Sequence, residues 1–151
     1  MIKNDKLTYF DFVFVVFIYY IDSLFFYKMN PITIKGTYKT PDIVFDIKKG
    51  EISIKGRSLP ENASLFYKPL LDILFKISEN KSSIVVNIHL EYINANSRKF
   101  FIEIFRNLEA LIAKGVNVMI NWFYDDPDED IYEAGMDYSS MVNIPFKIQE
   151  S

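Results

Sequence analysis

From Ile32 onward the apolar residues change period repeatedly, and this alternation restricts the fold more than any other feature of the chain. Ile32–Gly36 and Ile43–Ile47 are short β-rich runs separated by Tyr38–Pro41. Lys48-Lys49-Gly50 reads as a hairpin turn, and Ile52 and Ile54 then alternate with Ser53 and Lys55 in a half-buried strand. Ser58-Leu59-Pro60-Glu61 has the form of a capping box, with proline in the first turn of the helix it would open. Leu65, Phe66, Leu70, Ile73, Leu74 and Ile77 follow at helical spacing, with Pro69 inside the helix. Ser83–Leu90 returns to period two, with Ile84, Val86, Ile88 and Leu90 on one face. Asn94, Asn96 and Ser97 are helix-start residues. Phe100, Phe101, Ile104, Phe105, Leu108, Leu111 and Ile112 form one helical stripe, stopped by Gly115. Val116, Val118, Ile120 and Trp122 alternate again; a third helix over Asp128–Met141 and a last strand over Ile144–Ile148 complete the chain. The order β-β-β-α-β-α-β-α-β predicts an α/β fold: a mixed β-sheet flanked by helices, with an antiparallel pair at one edge.

The length of 151 residues suits one such domain, and an apolar fraction of 50% is enough to bury a core. Composition also narrows the chemistry. The absence of cysteine excludes disulfides, thiolate metal sites and cysteine nucleophiles. The single histidine, His89, excludes a multi-histidine metal site. No cofactor or metal is expected. The net charge of −3 argues against nonspecific binding to nucleic acid or to an anionic membrane.

Residues 1–28 stand apart. They hold ten of the 25 aromatic residues and no net charge. Phe12–Ile21 is uncharged but half the length of a spanning helix. Extending it to Leu7–Tyr27 takes in Asp11 and Asp22, each costing about 2.5–3.5 kcal/mol near a bilayer centre. No small-residue cleavage site follows. The segment reads as a poor membrane anchor, as an extra element packed on the domain, or as translated upstream sequence with Met29 the true start. The last is the preferred reading, and it divides the chain into an extension, 1–28, and a domain, 29–151.

Few residues are candidates for chemistry. His89 shares a strand face with Val85 and Asn87, and no serine or second histidine falls near it in sequence; it reads as a locally bonded surface histidine rather than a general base. The segment Asp125–Asp137 carries seven acidic residues and no basic one, so the rest of the chain is net +4. As a calcium loop starting at Asp126 it fails, with Ile131 at the sixth position and Asp137 at the twelfth. It reads as a solvated helix start that would steer a basic partner. The five glycines are scattered and form no phosphate loop, and Lys55 and Arg57 read as solvated charges at a strand end. Asn94-Ala95-Asn96-Ser97 opens the strongest helix, where a phosphate would meet free backbone N–H groups.

A series of motifs runs through this frame: Thr40-Pro41-Asp42-Ile43, Gly56-Arg57-Ser58-x-Pro60-Glu61-Asn62, Phe66-Tyr67-x-Pro69-Leu70, Leu90-Glu91-Tyr92-x-Asn94, Trp122-x-Tyr124, Asp128-Glu129-Asp130, Glu133-x-Gly135-x-Asp137-Tyr138 and Pro145-Phe146. The series resembles the SiaC family of bacterial regulatory phosphoproteins over about Ile32 to Ile148. The resemblance implies a single STAS-like domain, like the anti-sigma-factor antagonists, with no catalytic activity. It implies a cytoplasmic partner switch. In the family a kinase phosphorylates a threonine after the Tyr-x-Asn motif and a PP2C-type phosphatase reverses it. The unphosphorylated form activates a diguanylate cyclase, raising cyclic di-GMP and promoting biofilm formation.

The partner surface implied here comprises Arg57, Ser58, Glu61, Asn62, Tyr92, Asn94, Ala95, Asn96, Ser97 and Arg98. The chain departs from the family at the switch itself. Where the family reads Tyr-x-Asn-Thr-Ser-Ser, this chain reads Tyr92-Ile93-Asn94-Ala95-Asn96-Ser97. Ala95 stands at the phosphorylated position and cannot carry phosphate. Either Ser97 substitutes as the acceptor, or phospho-control is lost, or the protein is locked in the unphosphorylated, binding-competent state; the locked state is the simplest physically. Two other readings compete: a small hydrolase using His89 with the acidic cluster, and an interaction domain tethered to a membrane by residues 7–27.

Overall fold

The computed structural model describes residues 31–151; the expectations for residues 1–28 fall outside the described residues. Six strands form one sheet in sequential order: β1 (Ile32–Ile34), β2 (Asp42–Asp46), β3 (Glu51–Ser58), β4 (Ser83–Ile93), β5 (Asn117–Tyr124) and β6 (Phe146–Glu150). The first two pairings are antiparallel and the last three parallel, so the antiparallel edge and the mixed sheet are as expected. Three helices make the parallel crossovers: α1 (Ala63–Asn80), α2 (Ala95–Ala113) and α3 (Glu129–Met141). Crossovers of one hand that step the same way along a sheet place their helices on the same face. That face carries Ile43, Phe45, Ile52, Ile54, Ile84, Val86, Ile88, Val118, Ile120 and Trp122, all buried and continuous with the buried stripes of the three helices. On the opposite face Val44, Ser53, Val85, Asn87, His89 and Asn121 are only half-buried.

The period-two signal survives because each of these strands has one face in the core, where a one-residue slip would expose every apolar side chain. The β2–β3 hairpin closes where predicted: Gly50 takes φ +71°, and the Asp46 carboxylate accepts the Lys49 N–H at 3.1 Å. The third helix packs closely through Gly135. A Cβ there would lie 2.6 Å from Cδ1 of Trp122, whose indole N–H donates to the Ile131 carbonyl at 2.9 Å.

Two local expectations fail at the start of α1. Ser58 is not its N-cap. Asn62 is, its side chain accepting from the Leu65 N–H at 2.9 Å. Ser58 instead ends β3, in register with Ile93, and Glu61 reaches Lys39 at 3.4 Å rather than closing a box. The capping pattern is a local preference, and strand pairing with β4 outweighs it. The phase of the helix is as expected, with Leu70, Ile73, Leu74 and Ile77 buried, but Leu65 falls off that face and is 52% exposed, and Tyr67 is the buried residue of the first turns. The final strand begins two residues later than expected, since Ile144 goes into the core and the Pro145 carbonyl accepts from Ile120.

Candidate functional site

Two helix starts meet beside the C-terminal ends of β3 and β4. At α2, Asn94 is the N-cap, and its side chain accepts from the Ser97 N–H at 2.8 Å. At α1, Asn62 plays the same part. Between the two starts lies a cleft of about 390 Å³, lined by Glu61, Asn62 and Ser64 on one side and by Asn96, Lys99 and Glu103 on the other. Ala63 and Phe100 form its apolar floor. The fold thus brings Arg57–Asn62 and Asn94–Lys99 side by side, across more than thirty residues of sequence.

The side chains expected at a partner surface divide into two groups. Ala95 and Asn96 are exposed in the first turn of α2, Glu61 and Asn62 are exposed at the start of α1, and Arg98 is half-buried. Arg57 lies with its guanidinium 5.7 Å from the centre of the Tyr92 ring, and Tyr92 is 47% exposed. Such a cation over an aromatic face presents a flat, partly apolar patch at the ends of β3 and β4. Ser58 and Ser97, by contrast, are 0% exposed. They face inward and offer a partner no surface. Ser97 is at the third position of the helix and points beneath the turn, whereas Ala95, at the first, points outward. A hydroxyl at position 95 would be open to a kinase; the Ser97 hydroxyl is spent on internal hydrogen bonds, donating to the Ser58 carbonyl at 3.1 Å.

Sequence reasoning missed two tyrosines that shape this corner. Tyr67 stacks on Phe100, ring centres 5.5 Å apart, and bonds the Ser58 hydroxyl at 2.6 Å. Tyr138 donates from α3 to the Arg98 carbonyl at 3.1 Å. Both belong to the motif series, which was the available signal, but nothing local in the sequence shows which way they point.

The two parts of the hydrolase reading do meet in space. Nε2 of His89 lies 3.0 Å from the Asp125 carboxylate, 36 residues away, on the face opposite the helices. The Ser151 hydroxyl bonds the same carboxylate and lies 3.4 Å from the same ring nitrogen. These bonds, from Ser151 first and His89 second, hold the Asp125 carboxyl below the usual carboxylate range. A hydrolytic triad needs the serine and the carboxylate on opposite nitrogens of the imidazole, so that one orients the ring while the other loses a proton to it. Here both crowd Nε2, and the hydroxyl is turned to the carboxylate. The arrangement clasps the end of the chain to β5. Among the described residues no group of three or more histidines and carboxylates is placed to hold a metal ion, and no helix is long and apolar enough to cross a membrane.

Comparison with known proteins returns a consistent result. The family model described as SiaC family regulatory phosphoprotein matches residues 34–151. An uncharacterised protein of Pseudomonas aeruginosa (strain UCBPP-PA14) is 29% identical over 122 residues, covering 80% of this chain and 97% of the relative. Among solved structures, SiaC of Pseudomonas aeruginosa matches with a TM-score of 0.73 at 27% identity, over 82% of this chain and 100% of that one. A chain in the crystal structure of the diguanylate cyclase SiaD in complex with its activator SiaC, from the same organism, matches with a TM-score of 0.74 at 28% identity, over 80% and 99% of the two chains.

Proposed function

The chain belongs to the SiaC family of regulatory phosphoproteins, and on that premise we propose that it is a non-enzymatic partner switch that binds and activates a diguanylate cyclase, held in its binding-competent state by Ala95. The observation that carries the reading is the exposed first turn of α2, with Ala95 at the position that the motif resemblance assigns to the family's phosphorylated threonine. The similar SiaC is crystallised as the activator of a diguanylate cyclase, which supports a cyclase as the partner here. The cleft and the Arg57–Tyr92 patch beside that turn supply what recognition needs: an apolar floor with polar and charged rims. The reading assigns no catalytic residue, because the His89–Asp125–Ser151 geometry activates no nucleophile. It takes the protein to act in the cytoplasm, where a diguanylate cyclase would find GTP.

Of the three readings of the altered switch, burial argues against Ser97 as the substitute acceptor. A phosphate on Ser97 would add nearly two negative charges and three acceptor oxygens where a fully buried hydroxyl now sits. At position 95 the same group would stand in solvent at a helix N-terminus, where the free N–H groups favour it. Phosphotransfer tests Ser97 as an acceptor directly. Incubated with a partner-switch kinase of the family and ATP, the native chain is expected to take up no phosphate, and Ala95→Thr is expected to take up one, mapped to residue 95 by mass spectrometry. Phosphate mapped to Ser97 of the native chain would refute the locked state.

A further inference from the structure

Three hydroxyls remain that surface recognition does not use. Ser58, Tyr67 and Ser97 lie in β3, α1 and α2, and none is exposed. The Ser58 and Tyr67 hydroxyls are 2.6 Å apart. Ser58 donates to the Ser97 hydroxyl at 2.8 Å, and Ser97 donates to the Ser58 carbonyl at 3.1 Å. Each hydroxyl has one proton. With those of Ser97 and Ser58 committed, the Tyr67 phenol must be the donor to Ser58. Burial keeps that phenol protonated by pushing its pKa above the usual tyrosine range. Every proton therefore has a direction: Tyr67 to Ser58, Ser58 to Ser97, Ser97 back to the Ser58 main chain.

The same Ser58 carbonyl also accepts the Asn94 N–H at 3.0 Å. The turn that presents Ala95 and Asn96 is thus hung at both of its ends, Asn94 and Ser97, from a single residue of β3. Apolar packing does not explain the arrangement. The Tyr67 ring is already held by Phe100 and by Phe101, the latter edge-on at 5.3 Å, so a phenylalanine would fill the same space. What the hydroxyls add is direction, since a buried donor without its acceptor is costly and admits few alternative geometries.

We propose that Ser58, Ser97 and Tyr67 are positioning residues for the partner surface, their closed hydroxyl relay setting the one conformation in which Ala95 and Asn96 stand exposed beside the α1 start. The partner half of this statement rests on the function proposed above; the positioning half does not. The relay also identifies Ser97 as a structural hydroxyl rather than a regulatory one, and it ties α1, on one wall of the cleft, to the turn on the other.

Two variants test it: Ser97→Ala, which removes the link to the turn, and Tyr67→Phe, which removes only the donor at the far end and leaves packing and surface intact. Hydrogen exchange is read at the amides of Asn94, Ser97 and Arg98 and compared with Val118 and Ile120 of β5, which report opening of the whole domain. Ser97→Ala is expected to speed exchange at the turn by about tenfold beyond any change in β5, and Tyr67→Phe by a smaller factor in the same direction. Affinity for the cyclase, measured well below the melting temperature, is expected to fall in the same order. Turn and β5 amides changing in equal proportion, with unchanged affinity in both variants, would reduce the relay to ordinary stabilisation and overturn the proposal. If the native chain bound no cyclase, the exchange experiment would still decide the positioning half, because it needs no partner.

Discussion

Replacing Ala95 with glutamate is expected to weaken binding to a diguanylate cyclase partner by about ten- to a hundredfold, corresponding to roughly 1.4–2.8 kcal/mol. The side chain at 95 is exposed in the first turn of α2, beside the cleft and clear of the core. A carboxylate there brings charge and bulk to a surface that the unmodified state presents as a methyl group. An interface shaped around that methyl must then either desolvate the charge or move away from it. Loss of folding cannot account for the expected effect. A carboxylate at a helix N-terminus interacts favourably with the free N–H groups, by about 0.3–1 kcal/mol, so the variant should melt at the native temperature or slightly above. Calorimetric titration against the cyclase, alongside thermal denaturation, separates the two. Affinity lost with stability retained is the expected pair; unchanged affinity would place the interface elsewhere.

The largest effect on the fold is expected from Trp122→Ala, a loss of about 3–5 kcal/mol. Trp122 is fully buried in β5. Its ring lies among Phe101, Tyr138 and Phe146, with centres 5.4–6.4 Å away, and its N–H is bonded to the Ile131 carbonyl. Gly135 lets α3 approach so closely that the indole itself is the floor under that helix. Truncation leaves a cavity that α3 cannot fill without dragging Tyr138, and with it the bond to Arg98 in the first turn of α2. A fall in melting temperature of roughly 10–20 °C, read by circular dichroism, is the expected result. A shift of only a degree or two would mean that the layer between β5 and α3 is less tightly packed than the structure shows.

The parts of this molecule legible in the sequence are those set by local periodicity. Ile84, Val86, Ile88 and Leu90 alternate because one face of β4 is core. The stripe from Phe100 to Leu111 is legible because α2 buries a single face, and Asn94 is legible because its cap bond spans only three residues. Nonlocal competition hides the rest. Ser58-x-x-Glu61 is a sound capping pattern in isolation, yet Ser58 pairs with Ile93 in the sheet and bonds to Ser97, 39 residues away. The phase of α1 is legible from Leu70, Ile73, Leu74 and Ile77, but the burial of Tyr67 rather than Leu65 is not, because the buried hydroxyl partner of the tyrosine lies outside the helix. His89 and Asp125 show the same thing: separated in sequence, they become neighbours only once β4 and β5 pair. Of the candidate surface, position 95 and the residues beside it are legible only through motif resemblance. Which of their side chains turn outward depends on the buried relay, which has no signature in spacing or composition.

On the function proposed above, this chain activates a cyclase by binding and needs no phosphate to do so. The decisive measurement is cyclic di-GMP production from GTP by a SiaD-type diguanylate cyclase, with and without the purified protein. Saturable stimulation by the native chain, unaltered by prior treatment with kinase and ATP and shifted to about ten- to a hundredfold higher concentration in Ala95→Glu, is the expected result. Synthesis that stays at the cyclase's basal rate at every concentration of the native chain would contradict the account.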